Sequence, residues 1–390
     1  MKTRSFFAFT FLLPLLLQAQ PSSPESHLLM KVADGFYHLF YDSSTAKSTV
    51  IEFEKFIALV EVPIRNEGGG ATHLRDHSFA AQKVIAALEK YFPKKPLKYV
   101  LHSHWHPHSI SSVKPFLVRG TTLISTQSNF ERLKEFVDST TVIRYNKQIR
   151  FVDSDSLVIK DKTNSIVVYR FLQSEYKSTP AKEYLYFYFP KYAALHSGCM
   201  YAKSQRTLAD GREIVTDRVK DLDAFVRRKN LKVDNFVRIN GDKQSPLCLM
   251  QGEEFKLICK TGVTVSDIND AYFSIGTEAL NNNQDSLAQV ILTHNIPASI
   301  LNGNVYSSLR ERNFNRALAF ARLQVLVSPS DANAWDTLGE VNFILGNTEL
   351  AKSFHAQSLK VDPGFNTGGL NAWTQTLREY SELWNGLNAK

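Results

Sequence analysis

Residues 101 to 112 read Leu-His-Ser-His-Trp-His-Pro-His-Ser-Ile-Ser-Ser, so His102, His104, His106 and His108 alternate directly after the apolar run Leu97 to Leu101. That spacing is suited to holding a metal. Imidazole is a good zinc ligand, and alternate residues of an extended segment point the same way, so His104 and His106 can converge on one ion. Four of the chain's 11 histidines fall within these seven residues, a concentration that a polar loop with chance histidines does not explain.

Such a loop needs strands and helices to hold it. From Gly35 to about Thr261 the sequence alternates short β-branched and aromatic runs (Thr49 to Phe53, Phe56 to Val60, Ser165 to Phe171, Tyr184 to Phe189) with helical stretches. Ala80, Val84, Ala87, Leu88 and Tyr91 recur at helical spacing, and Pro93 and Pro96 stop that helix before the next strand. The pattern predicts an α/β domain, with Gly68-Gly69-Gly70 as a flexible loop bordering the site. From about Ser266 the strand signal disappears and helices follow one another. Trp335, Leu338, Gly339, Ala351, Phe354 and Pro363 follow the 34-residue tetratricopeptide pattern, and Ala298, Ala317, Phe320 and Pro329 give a weaker copy. The expected organisation is a signal segment at 1–19, an α/β domain at 20–262, a helical connector at 263–297 containing a degenerate repeat, two repeats at 298–365 and a capping helix at 366–390. Two repeats cannot bury a continuous core alone, so they are expected to pack on the α/β domain or on another chain.

Lys2 and Arg4 precede an apolar run from Phe6 to Leu17 and a small-residue context at Ala19, the arrangement of a secretory signal peptide. The run is shorter than the roughly 20 residues of a membrane span. The chain is therefore expected to be exported, periplasmic or extracellular, without a membrane span. The absence of a cysteine near the cleavage point argues against a lipid anchor. Cleavage removes two basic residues and no acid, taking the net charge from +8 to +6. Basic clusters such as Lys94-Lys95 and Arg227-Arg228-Lys229 are small and scattered, which points to solvated helix faces and away from a nucleic-acid surface. Of the three cysteines, Cys248 and Cys259 are close enough in sequence to bridge a short loop, leaving Cys199 for another use. At 390 residues and 43% apolar content the chain can fill more than one core.

The strand ending Ala58-Leu59-Val60-Glu61, the helix after it, and Pro96 to Val100 leading into Ser103-His104-Trp105-His106-Pro107-His108 together resemble the metallo-β-lactamase superfamily over roughly residues 33 to 245. The resemblance implies an αββα sandwich and a His-x-His-x-Asp loop binding one or two zinc ions. His104 and His106 match its two histidines. His108 stands where the family has aspartate, and Ser111-Ser112 replace its usual glycine pair. A further family histidine has no counterpart between Ser174 and Tyr184. The strand ending His196-Ser197-Gly198-Cys199 makes Cys199 a family-compatible ligand, and Asp242 occupies the place of the last histidine.

Two readings follow. In one, the metal set has decayed below the three protein ligands zinc needs, and the protein is a catalytically impaired hydrolase homologue acting as a binding module. In the other, His108, Cys199 and Asp242 form a permuted set that completes a one-zinc site. A zinc-activated water would then hydrolyse an ester, thioester, lactone or β-lactam, with His108 able to accept a proton but not to supply the aspartate's charge. The residues leave open whether the chain is an enzyme.

Other readings are structural. His102 suits a hydrogen bond behind the ligands, His196 faces away from Cys199, Cys199 also suits an inert buried thiol, Asp242 suits a turn, and Trp105 suits loop packing. The repeats are expected to offer a groove to a peptide or protein partner or to mediate self-association. Arg310, Arg312, Arg316 and Arg322 would give the first repeat a basic face favouring an acidic partner.

Overall fold

A computed structural model describes residues 28–40, 47–62, 78–106, 109, 113–134, 139–176, 178–179, 181–200, 206–239, 249–366 and 368–388. The expected signal segment, the glycine loop at 68–70, Cys248, His108 and Asp242 lie outside them. The chain divides into two compact units, Met1–Ile166 with Ile239–Cys248, and Val167–Arg238 with Leu249–Lys390.

The first unit opens with β1 (Leu28–Ala33), β2 (Phe36–Phe40), β3 (Lys47–Glu52) and β4 (Ile57–Val60). Then come α1 (Ser78–Tyr91), β5 (Leu97–Leu101), α2 (Lys114–Val118), β6 (Thr122–Ser125), α3 (Gln127–Leu133), α4 (Ser139–Tyr145), β7 (Ile149–Phe151) and β8 (Ser156–Lys160). Among the described residues its sheet runs in sequence order from β1 to β7, antiparallel as far as β4 and parallel from β4 to β7. The switch has a plain cause. Tight connections reverse the early strands, whereas the apolar helix α1 is long enough to carry the chain back from β4 to a parallel β5. Val84 and Leu88 of α1 bury against Leu59 and Val100, with Phe116 and Leu117 of α2 closing the same core. All four residues of β4 are buried, as are Val100 and Leu101 at the end of β5, matching the apolar runs read from sequence.

The second unit begins with β9 (Ser165–Leu172), β10 (Glu183–Phe189), β11 (Ala194–Gly198), β12 (Ile214–Val215), α5 (Asp217–Arg228), β13 (Asn235–Arg238), β14 (Leu249–Gln251), α6 (Gly252–Thr261) and β15 (Val263–Thr264). β10 pairs antiparallel with β9 and β11, β13 runs parallel to β11, and β14 closes antiparallel on β13. Phe171, Tyr186 and Phe225 of α5 form an aromatic core on this sheet, their ring centres 4.6 to 5.7 Å apart. Cys259, half-buried on α6, is a free thiol whose pKa burial pushes up to about 12; the bridge to Cys248 that the sequence allowed falls outside the described residues.

From residue 265 the chain is helical, as the loss of strand pattern predicts: α7 (Val265–Ile268), α8 (Thr277–Asn282), α9 (Gln284–Thr293), α10 (Ala298–Arg310), α11 (Phe314–Val327), α12 (Ala332–Ile344), α13 (Thr348–Val361) and α14 (Leu370–Asn388). α10 and α12 start 34 residues apart, at Ala298 and Ala332, and α11 and α13 do the same, at Phe314 and Thr348. Their core is continuous with Leu208, Ile214 and Val263, which supplies the burial that two hairpins lack on their own.

Two sequence expectations change here. Arg316 does not contribute to a basic face: its guanidinium donates to the carbonyls of Ile275, at 2.6 Å, and Phe273, at 2.5 Å, and lies 5.1 Å from the Phe320 ring. It caps carbonyls that follow the preceding helical turn, where a cation is favourable. And α14 does more than cap the end of the array, for it lies along both α10 and α12. Trp373 packs on Gly339 and donates to Asp336 at 3.2 Å, while Trp384 donates to the Leu309 carbonyl at 3.1 Å.

Candidate metal centre

The site grows from the carboxyl ends of three parallel strands, the usual place for ligands on such sheets. β4 delivers Glu61, β5 delivers His102 to His106, and β6 delivers Ser125. Glu61 adopts a left-handed backbone, φ 63°, unfavourable for a residue with a side chain. It is held there because its N–H donates to the Leu101 carbonyl at 2.8 Å and Ser48 Oγ donates to its carbonyl.

The Glu61 carboxyl is the hub beneath the histidine loop. Oε1 accepts from the Ser103 N–H at 3.0 Å, and Oε2 accepts from Ser109 Oγ. Ser103 Oγ in turn lies 3.2 Å from Ser109 Oγ and 2.8 Å from His104 Nδ1. A continuous hydrogen-bonded chain therefore runs from Glu61 through two serines to His104. Burial pushes the Glu61 carboxyl up to about 8, against the lowering effect of its bonds from Ser103 and Ser109. On β3, the buried Lys47 Nζ lies 3.2 Å from His38 Nε2 and 3.3 Å from Nδ1.

His102 is turned into the protein, as a supporting residue should be. Its ring nitrogens lie 2.9 Å from the His104 carbonyl and 3.0 Å from Ser125 Oγ, and burial pushes its pKa down to about 4. It is neutral at ordinary pH and holds the loop's curvature.

His104 and His106 are brought together. Their ring centres are 4.6 Å apart and nearly edge to face, with His104 fully buried and His106 partly so. Two imidazoles on one tetrahedral zinc, each about 2.0–2.1 Å from it, place their ring centres about 5 Å apart. The separation of this pair is close to that value. With Nδ1 of His104 engaged by Ser103, Nε2 is the nitrogen a metal would take, and the Ser103 bond fixes the ring as ligand supports do. Trp105 stacks edge-on against His106 at 4.3 Å and under Arg132 at 5.5 Å, a packing role.

Cys199 has its own surroundings in the second unit, its sulfur 3.9 Å from both the Tyr184 hydroxyl and the Arg218 guanidinium. His196 is a packed histidine whose Nδ1 accepts from the Gly198 N–H at 3.2 Å. Among the described residues no group of three or more His, Cys, Asp and Glu gathers to hold an ion. Glu61, Ser103 and Ser109 were not singled out by sequence reasoning. The one available signal for Glu61 was an acid placed directly behind four apolar strand residues, Ile57 to Val60.

No family model matches the chain, and no curated protein matches it. Solved structures with a similar trace include the mono-zinc form of the metallo-β-lactamase FIM-1 from Pseudomonas aeruginosa, at 13% identity, 62% of this chain, 97% of that one and a TM-score of 0.38. A metallo-β-lactamase from Pontibacter korlensis is similar at 11% identity, 60% of this chain, 98% of that one and a TM-score of 0.39. The stereoselective inverting sec-alkylsulfatase Pisa1 from Pseudomonas sp. is similar at 11% identity over 88% of this chain and 66% of that one, with a TM-score of 0.41.

Proposed function

We propose that the chain is an exported metallo-β-lactamase-like protein, a hydrolase homologue with a weakened metal centre, whose helical half acts as an interaction module of the tetratricopeptide kind. The observation that carries the metal centre is the His104–His106 pair at 4.6 Å, positioned from the carboxyl ends of parallel strands and braced by Ser103 and Glu61. The weakening is read from sequence: His108 in place of the loop aspartate removes a fixed negative charge from the neighbourhood of the metal, and Ser111-Ser112 replace the glycine pair.

A zinc ion held there would supply Lewis acidity and a water of lowered pKa. The protein's own part is to fix His104 through Ser103, keep His102 neutral, and shield Glu61 from solvent. The second reading, a one-zinc hydrolase whose site His108, Cys199 and Asp242 complete as a permuted set, draws on the same closeness of the His104 and His106 rings.

Plasma mass spectrometry on protein purified without a histidine tag separates the readings. A weakened centre predicts zinc well below one ion per chain after dialysis, abolished in His104→Ala and His106→Ala and unchanged in Cys199→Ala, with no hydrolysis of ester, thioester, lactone or β-lactam probes. A completed centre predicts close to one zinc per chain, lost in Cys199→Ala or Asp242→Ala as well. Failure of parent and both histidine variants to differ under saturating zinc would refute the metal centre altogether. In either case Ser103→Ala is expected to weaken zinc binding by about 10- to 100-fold, as loss of a ligand's supporting hydrogen bond does, measured by competition with a chelating dye.

A further inference from the structure

A second site lies among the helices, away from every residue used above. A cleft of about 460 Å³ opens where α10 and α12 begin, lined by Arg206, Ser299, Asn302, Gln324, Asp331 and Asn333 among others, a volume within the roughly 300–1,000 Å³ of small-ligand clefts. Among the described residues that line it, all but Pro297 and Ala298 carry polar side chains, and the question is what polar chemistry they complement.

One part of the lining favours negative charge. The start of the 13-residue helix α10 meets the cleft, and the first-turn N–H groups of a helix have no acceptor inside it. α10 starts after Pro297, which gives no side-chain cap. Arg206 brings a guanidinium beside it, one nitrogen donating to Ser299 Oγ. Another part favours donors. Gln324 is 1% exposed, yet its side-chain oxygen has no hydrogen-bond partner in the protein, a costly state for a buried carbonyl. Asp331, which caps α12 by accepting from the Asn333 N–H at 2.9 Å with Oδ1, brings a carboxylate to the same cleft.

A simple anion would satisfy the first part and be repelled by Asp331, and a simple cation would meet Arg206. We propose that the cleft binds a small zwitterion with an α-ammonium and a carboxylate, either a free amino acid or a short peptide with both ends unblocked. The carboxylate lies toward Arg206 and the start of α10, and the ammonium toward Gln324 and Asp331. Asn302, whose Oδ1 accepts from Thr337 Oγ1 at 3.1 Å, offers its amide donors, and Asn333 an amide with both donor and acceptor, to the ligand's remaining polar atoms. The site is independent of the metal centre, so neither stands or falls with the other.

Calorimetric titration of the full-length protein tests this with an equimolar mixture of L-amino acids, a tripeptide mixture with free ends, and each of these two mixtures N-acetylated or C-amidated. One of the two free-ended mixtures is expected to bind, which decides between amino acid and peptide. Blocking either end of the ligand class that binds is expected to weaken binding by about tenfold or more, the loss of one charge-assisted hydrogen bond. Arg206→Ala should bind weakly and no longer distinguish carboxylate from amide. Asp331→Asn, which keeps the capping oxygen, should no longer distinguish ammonium from its acetylated form, and Gln324→Met should do likewise if it folds. Absence of binding by both free-ended mixtures at millimolar concentration, or equal binding of free and blocked forms, overturns the proposal.

Discussion

Replacing Glu61 by glutamine is expected to stabilise the metal-free protein at alkaline pH by a few kcal/mol while changing little at pH 4. The Glu61 carboxyl has an ordinary pKa near 4.5 when unfolded and about 8 when folded, chiefly because it is fully buried. Its folded-state pKa is raised, so the native state binds the proton more tightly than the unfolded chain does. Its contribution is therefore fully present below pH 4.5 and is lost progressively as pH rises to about 8, at close to 1.4 kcal/mol per unit, or about 3–5 kcal/mol in all. Glutamine is neutral throughout. Its carbonyl oxygen can still accept from the Ser103 N–H, and its amide can donate to Ser109 Oγ, so the loop keeps its anchor. Urea midpoints of parent and variant at pH 5, 7 and 9 should diverge with rising pH and stop diverging above about 8. A difference constant with pH would mean that Glu61 is ionised in the native protein and compensated by charge, and the buried hub would have to be redrawn. Measuring metal-free protein matters, because a bound cation would itself depress the carboxyl and mask the effect.

The divide between what was legible in the sequence and what was not follows the range of the interactions. The strands at 47–52, 57–60, 165–172 and 183–189 and the helix at 78–91 are written in local periodicity, because each buries a face whose spacing is fixed by its own backbone. The 34-residue offset of the late helices was readable for a related reason, since each hairpin repeats the same local packing problem. His104 and His106 stood out because they are chemically distinctive side chains at a fixed short spacing, and their rings do come within 4.6 Å of each other. Glu61 was not, because its partners are 42 and 48 residues away at Ser103 and Ser109 and serines carry no pattern. The same holds for Arg316, whose exposed-looking charge on a helix face gave no hint of the carbonyls 41 and 43 residues earlier that it caps. α14 was readable as a helix with apolar residues, but its path along α10 and α12 depends on one glycine, which sequence showed only as a repeat position.

That glycine yields the other large expected effect, a change of sign between two backgrounds. Trp373 is 1% exposed, and a Cβ placed on Gly339 would lie 2.8 Å from its Cη2 and 2.9 Å from its Cζ2. Its indole N–H donates to Asp336, which also accepts from the Gly369 N–H at 3.1 Å and from His355 Nδ1 at 2.8 Å. Trp373→Ala is expected to cost about 3–5 kcal/mol, the range for emptying a buried tryptophan site. Gly339→Ala alone should cost about 1–3 kcal/mol, because the methyl must push the indole out of a packed contact. In the Trp373→Ala background the methyl meets a cavity, and alanine is a better helix residue than glycine by about 0.5–1 kcal/mol, so the same substitution should stabilise. Urea unfolding of the four proteins by far-ultraviolet circular dichroism completes the cycle. An equal cost in both backgrounds would place the constraint on the Ala351 carbonyl, 3.1 Å from the same point, and not on the indole. The outcome bears on function, because α14 covers faces of α10 and α12 where Tyr306 donates to the buried Glu340 at 2.7 Å. A partner reaching that face must first displace Trp373 and Trp384, whereas one using the cleft at the helix starts need not.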